Sequence, residues 1–233
     1  MLVRVCGRYV ATTPPDLLAA HFGAVVTEGL GPPRWNVAPT DPVPAVCEDR
    51  SGERRLGPLR WGLLPSFVTD AGTAARRINA RAETVATTPA FRSAFERRRC
   101  LLPADGFYEW DTARQPWFIH RVDGEPLAMA GIWETWRAPD GARVGTCAVI
   151  TTVANDDVAP LHDRCPVIIG AADVDAWLDR AVPGHVLTGL LRPPPDGLLA
   201  RRQASRRVNS VRNDGPELLD PGSSDGPVPL RLL

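Results

Sequence analysis

Residues 100–110 read CLLPADGFYEW. An apolar run, a Pro-Ala-Asp-Gly break and a run of aromatics around one glutamate read as strand, with Glu109 among the aromatics. The same reading extends outward to 117–120, 127–133 and 144–152, which also look like strands. Together these segments predict an antiparallel sheet. Upstream, Val43–Val46 and Leu56–Leu63 read as strands about the turn Asp49-Arg50-Ser51-Gly52. Three helices are expected. Thr13-Pro14-Pro15-Asp16 opens one that carries Leu17, Leu18 and Phe22. Pro89–Arg99 places Phe91 and Phe95 on one face, and Ala171–Arg180 surrounds Val174, Trp177 and Leu178. The class is α+β: a single compact domain whose mostly antiparallel sheet can close into a barrel, with peripheral helices. Its expected extent is 6–213. Residues 1–5 are read as a leader or an upstream start, and 214–233, rich in Pro, Gly, Ser and Asp, as a loose tail.

The chain has 233 residues, enough for one sizeable core. Hydrophobic residues make up 44% and charged residues 23%, which excludes a wholly disordered chain. No apolar run reaches the length of a membrane span, and MLVRVCGRYV is interrupted by Arg4 and Arg8, unlike a signal peptide. Net charge is zero, from 27 basic and 27 acidic residues. Every basic residue is arginine, which excludes a lysine Schiff base or a lysine general base. Charge is uneven: the stretch 54–109 has ten arginines against five acids, and 199–213 has arginines and no acid. Each Arg run reads either as a solvated face or as a phosphate-facing patch. The five cysteines (6, 47, 100, 147, 165) form no CxxC, and the four histidines have no ligand spacing. The expectation is a reduced, cytoplasmic protein with no metal and no organic cofactor. Cys47, Cys100, Cys147 and Cys165 are expected to be buried, and Trp35, Trp61 and Trp110 to pack in the core.

Four short segments concentrate reactive side chains: Cys6-Gly7-Arg8-Tyr9, residues 78–84 (INARAET), Gly106–Trp110, and residues 162–166 (HDRCP). Singly, each is ordinary. A lone His is usually structural, Asn79 reads as a turn or cap residue, and Glu109 on an alternating strand points to water as easily as to a site. Taken together and in order, CGRY, WNVAPT (35–40), RWGLLPS (60–66), INARAET, CLLPADGFYEW, the Thr151–Asn155 stretch and HDRCPVII (162–169) resemble the SOS-response-associated peptidase family. The resemblance runs from Cys6 to about Asn213.

That resemblance implies a mixed, barrel-like domain with a shallow basic groove for single-stranded DNA. It implies covalent capture of abasic sites as a thiazolidine adduct, with self-reversal and strand incision as a lyase. Cys6 would supply amine and thiol. Glu109 would be the general acid/base, His162 would assist proton transfer and crosslink reversal near the sugar hydroxyl and phosphate, and Asn79 would orient the aldehyde or the Cys6 backbone. Arg8, Arg81 and Thr151 would meet phosphate or sugar, and Pro39 and Phe67 would contact bases. The partner is abasic single-stranded DNA, met by a monomer in the cytoplasm or on the nucleoid. The chemistry is coherent, because an α-amine (pKa ~8) is far more often neutral at pH 7 than a lysine (~10.4). One departure matters: five residues precede the cysteine. Initiation at Val5 on a GUG codon, read as Met and then removed, or self-cleavage before Cys6, would expose its amine. Two other functions fit these side chains: a thiol peptidase using Cys6 and His162, and a single-strand binding module without chemistry.

Overall fold

The computed structural model describes residues 6–221; the expected leader at 1–5 lies outside them. Thirteen strands follow in chain order: β1 (Tyr9–Ala11), β2 (Val25–Val26), β3 (Arg34–Val37), β4 (Pro42–Glu48), β5 (Arg54–Trp61), β6 (Asn79–Arg81), β7 (Arg99–Ala104), β8 (Gly106–Trp110), β9 (Pro116–Arg121), β10 (Leu127–Arg137), β11 (Arg143–Val153), β12 (Arg164–Pro166) and β13 (Leu199–Gln203). The α-helices are α1 (Pro15–Phe22), α2 (Arg92–Arg97) and α3 (Val174–Leu178).

Strands β5, β4, β7, β10 and β11 are neighbours in that order, and each successive pair is antiparallel. A parallel pairing of β11 with β5 (Thr146↔Arg60, Cys147↔Trp61) closes the ring into a five-stranded mixed barrel. Strands β2, β6 and β12 extend it. A second sheet runs β13-β9-β8-β1-β3.

The period-2 alternation of β10 explains the layering. Leu127, Met129 and Trp133 join Trp61, Ala45, Cys100, Leu102, Cys147 and Val149 in the core that fills the barrel. Ala128, Ala130 and Ile132 face outward to Leu18, Phe22, Phe95 and Trp177 of the helices. The barrel core continues onto one face of β1 and β8, taking in Cys6, Tyr9 and Phe107. The other face of β8 places Tyr108 and Trp110 with Phe118, Trp35 and Val208. Glu109, between Tyr108 and Trp110, is thereby turned toward the barrel side.

Several elements differ from expectation. The helix expected over Pro89–Arg99 shrinks to α2, because Arg99 already begins β7 and lies only 2% exposed. Its guanidinium donates to the carbonyls of Phe95, Glu96, Trp177, Asp179 and Val182, tying α2 and α3 to the barrel. Thr13 does not cap α1; with Thr12 it binds the Asp105 carboxylate. The helix expected at Ala171–Arg180 is a 3₁₀ turn leading into α3. The loose tail expected from 214 is packed as far as the described residues run. The Asp214 carboxylate accepts from the backbone nitrogens of Trp35 and Asn36 and pairs with Arg34, and Leu218 is fully buried. Residues 222–233 of that stretch lie outside the described residues. Trp61 is fully buried, while Trp35 and Trp110 are only partly so. Cys47 is half-buried, against the expectation of burial, whereas Cys100, Cys147 and Cys165 are 0% exposed.

Candidate functional site

Cys6 and Glu109 are 103 residues apart in sequence, and the pairing of β1 with β8 brings them together. In that register Tyr9 opposes Phe107 and Val10 opposes Gly106. The chain just before β1 therefore runs alongside the far end of β8, where Glu109 sits. Gly106 is required there: a Cβ would come 2.4 Å from the carbonyl oxygen of Ile119. The backbone nitrogen of Cys6 donates to Glu109 Oε1 at 2.6 Å, and both residues are 0% exposed. Glu109 Oε2 has no hydrogen-bond partner among the described residues.

Burial sets the electrostatics. Desolvation pushes the Glu109 carboxyl up to about 8. The Cys6 N–H pulls it partly back, and the nearby charge of Asp163 adds to the rise. The Cys6 thiol is pushed well above its ordinary value by burial, then by the charges of Glu109 and Cys165. The site thus holds a neutral thiol beside a carboxyl whose proton is exchangeable near neutral pH.

His162 lies on the loop between β11 and β12, with its side chain 13% exposed. Its Nδ1 faces two neighbours, Asp163 Oδ1 at 2.8 Å and the Arg164 N–H at 3.1 Å. A neutral ring can accept from the amide; a protonated one donates to the carboxylate. Asp163 links this loop electrostatically to Glu109.

Asn79 is not a turn residue but the first residue of β6, half-buried, and β6 lies parallel to β11. Arg81, at the end of β6, is exposed and opposes Thr151. Thr151 itself is 2% exposed. Arg164 lies across it, donating to the Thr151 carbonyl at 2.6 Å and to both carboxylate oxygens of Glu83 at 3.0 Å. The buried Thr151 hydroxyl therefore does not stand open to a phosphate, whereas the Arg81 side chain beside it reaches solvent. Arg8 is half-buried and already engaged, giving Nη1 to Asn36 Oδ1 and to the Val208 carbonyl. It braces the site's edge in this structure. Pro39 is half-buried on a loop fastened to the end of β5, where the Thr40 N–H donates to the Trp61 carbonyl. Phe67, on the connection that follows β5, is 67% exposed. These two loops leave the same corner of the barrel.

Two residues not singled out in the sequence matter here. Asn36, fully buried, donates to the carbonyls of Val208, Ser210 and Asn213 while accepting from Arg8, fastening the C-terminal segment to β3. The signal was an asparagine inside an apolar strand, where it is disfavoured unless satisfied. Asp163 had no such signal, because its partner is simply its neighbour His162. No helix among the described residues is long and apolar enough to cross a membrane.

The family model described as SOS response associated peptidase (SRAP) matches residues 5–211. Abasic site processing protein YoqW of Bacillus subtilis is 35% identical over 223 residues, covering 93% of this chain and 99% of that protein. Abasic site processing protein YedK of Escherichia coli is 31% identical, covering 93% of this chain and all of its own length (100%). Abasic site processing protein HMCES of Gallus gallus is 33% identical, covering 83% of this chain and 68% of that protein. Among solved structures, a protein from Bacteroides thetaiotaomicron has the same fold at a TM-score of 0.82 and 21% identity, covering 92% of this chain and 99% of its own.

Proposed function

Because the chain belongs to the SOS response associated peptidase (SRAP) family, we propose that it processes abasic sites in single-stranded DNA by covalent capture through Cys6. The observation that carries this reading is the Cys6 nitrogen held 2.6 Å from a buried carboxyl, on the residue that also bears the thiol.

Loss of a base lets the deoxyribose open to an aldehyde. With Cys6 leading the chain, its neutral amine adds to that carbon and gives a carbinolamine. Protonated Glu109 gives its proton to the departing hydroxyl, water leaves and an iminium forms. Cys6 Sγ then attacks the iminium carbon and its proton passes to the Glu109 carboxylate, closing a thiazolidine. Aldehyde plus aminothiol yields adduct plus one water, and Glu109 ends as it began. Burial pushes this carboxyl up while the Cys6 nitrogen is an amide, and in the chain that starts at Cys6 the carboxyl and the amine titrate as a pair that can exchange the proton both transfers need. His162 serves the sugar hydroxyl and reversal. The same iminium permits elimination of the 3′ phosphate, which is the lyase reaction. Asn79 orients the aldehyde, Arg81 holds a flanking phosphate, and Pro39 and Phe67 take base faces.

The amine becomes available when nothing precedes Cys6, either by initiation at the Val5 codon followed by hydrolytic removal of the initiator Met or by self-cleavage before Cys6, and the latter is the peptidase activity in this scheme. Burial of the thiol disfavours a peptidase acting on other proteins, because the thiolate is the nucleophile there and desolvation opposes it. The working form is a cytoplasmic monomer that meets DNA at the nucleoid.

The test is incubation with uracil-glycosylase-treated single-stranded DNA, followed by a denaturing gel and intact mass. A heat-stable adduct is expected from chain that starts at Cys6. Cys6→Ala should form none and still bind the strand. An adduct on chain that keeps residues 1–5, or one formed by Cys6→Ala, overturns the scheme.

A further inference from the structure

Three thiols, those of Cys47, Cys100 and Cys147, belong to the barrel and take no part in the chemistry above. Cys47 on β4 and Cys100 on β7 are direct partners across an antiparallel pair. Their side chains therefore project to the same face, with Cβ atoms about 4.5–5.5 Å apart in such pairs. A disulfide needs Cα atoms within about 4.4–6.8 Å, a span that directly opposed antiparallel residues meet. On its other side Cys100 faces Gly131 of β10. A Cβ at Gly131 would lie 2.8 Å from Cys100 Sγ, so the bare glycine is what gives that thiol room.

Access differs sharply among the cysteines. Cys6, Cys100, Cys147 and Cys165 are 0% exposed, whereas Cys47 is half-buried. It lines a cavity of about 210 Å³ at one mouth of the barrel, with Thr27, Arg55, Leu59 and Trp133. Burial, and then the neighbouring Cys47 thiol, push Cys100 up, so charge and access both disfavour Cys100 as first attacker.

We propose that Cys47 and Cys100 form an oxidation site that closes a cross-strand disulfide when the protein meets a peroxide. The Cys47 thiolate attacks one peroxide oxygen, the O–O bond breaks and hydroxide leaves, giving a sulfenic acid. Cys100 Sγ then attacks the Cys47 sulfur, the S–O bond breaks and water departs with the Cys100 proton. Two thiols and hydrogen peroxide give one disulfide and two waters. The staple joins strands that already pair, so the barrel keeps its shape. The dithiol consumes oxidant at the mouth where Cys47 is reached, while Cys6 stays enclosed. None of these steps draws on the DNA chemistry.

The test treats the full chain with dilute hydrogen peroxide and reads intact mass, free thiols in denaturant and a non-reducing peptide map. The expected result is loss of two hydrogens, a fall in thiols from five to three and a peptide pair joining 47 to 100, all reversed by a dithiol reductant. Cys47→Ser, at a half-buried strand position, should keep its remaining four thiols under the same dose. Cys47 oxidised alone to the sulfinic acid, a bridge to another cysteine, an unchanged thiol count, or thiol loss that persists in Cys47→Ser each overturns the proposal.

Discussion

Replacing Glu109 with glutamine converts a buried titrating group into a neutral group of nearly the same shape. The folded protein holds the Glu109 proton to about pH 8, against an ordinary value of 4.5. The carboxyl is 0% exposed, so solvent screening does not dilute the effect. A separation of some three and a half pH units corresponds to roughly 5 kcal/mol at about 1.4 kcal/mol per unit, an upper figure because the fold can relax around the charge. The sign follows from proton counting. Between pH 4.5 and about 8 the folded chain binds the proton and the unfolded chain has released it. Stability is therefore full below 4.5 and is lost as pH rises through the window to about 8. The glutamine side chain does not titrate. Urea denaturation of wild type and Glu109→Gln, on chain keeping residues 1–5, should give nearly equal stabilities at about pH 4.5. The curves should then diverge in favour of the variant by several kcal/mol at about pH 8.5 and run parallel above that. Every other titrating group is common to both proteins and cancels. Curves that stay parallel across that whole range would refute the reading of Glu109 as a desolvated acid. On chain that starts at Cys6 the outcome changes sign. An α-ammonium 2.6 Å from the carboxylate shares its proton with it, the titration belongs to the pair, and removing the carboxylate leaves a buried cation alone.

The remaining expectations concern the scaffold and the groove. Arg99→Leu should destabilise the fold by about 3 kcal/mol or more in urea titrations, because five carbonyls lose a charged donor inside the protein. Arg99→Lys should recover only part of that loss, since an ammonium has three donors for the same acceptors. Arg81→Ala should weaken binding to single-stranded DNA uniformly across sequences and lower the salt slope by roughly 0.7, one phosphate contact on a single strand. A slope unchanged in fluorescence-anisotropy titrations would remove Arg81 from the groove.

The barrel was legible where strands are long. β10 and β11 are eleven residues each with continuous buried apolar runs that read as strand, but because both faces are covered the runs do not state which side chains face inward. β2, β6 and β12 are two or three residues long, and no local pattern encodes them. They exist because distant partners present open edges, as β11 does to β6. Arg99 misled for a related reason. It stands in a run of three arginines that reads as a wet face, and only the convergence of two helix ends on one guanidinium takes it inside. The 214–221 stretch has the composition of a tail, yet one carboxylate and one leucine hold it down. In the site, Cys6 and Glu109 were nameable through a resemblance of ordered motifs, while their contact spans nearly the whole first half of the chain. Thr151 was nameable only through the same resemblance, and its burial, with Arg164 donating to its carbonyl, is set by neighbouring strands and loops that no local pattern encodes.

The placement of Cys6 is a property of the fold. β1 is anchored on both sides, to β3 through Tyr9↔Val37 and to β8 through Tyr9↔Phe107. Tyr9 is itself locked edge-on against Trp61, with ring centroids 5.2 Å apart. Only Gly7 and Arg8 separate that anchor from Cys6. Cys6 adopts a φ of 45°, in the left-handed region that L residues other than glycine rarely occupy. That penalty involves the carbonyl of the preceding residue, so it exists only while a residue precedes Cys6. A chain beginning at Cys6 has no φ at that residue, so this backbone cost does not arise in it. This supports the proposed leading cysteine: the pairing of β1 with β8 holds its nitrogen at the Glu109 carboxyl, in a backbone conformation whose cost falls only on a residue that has one before it.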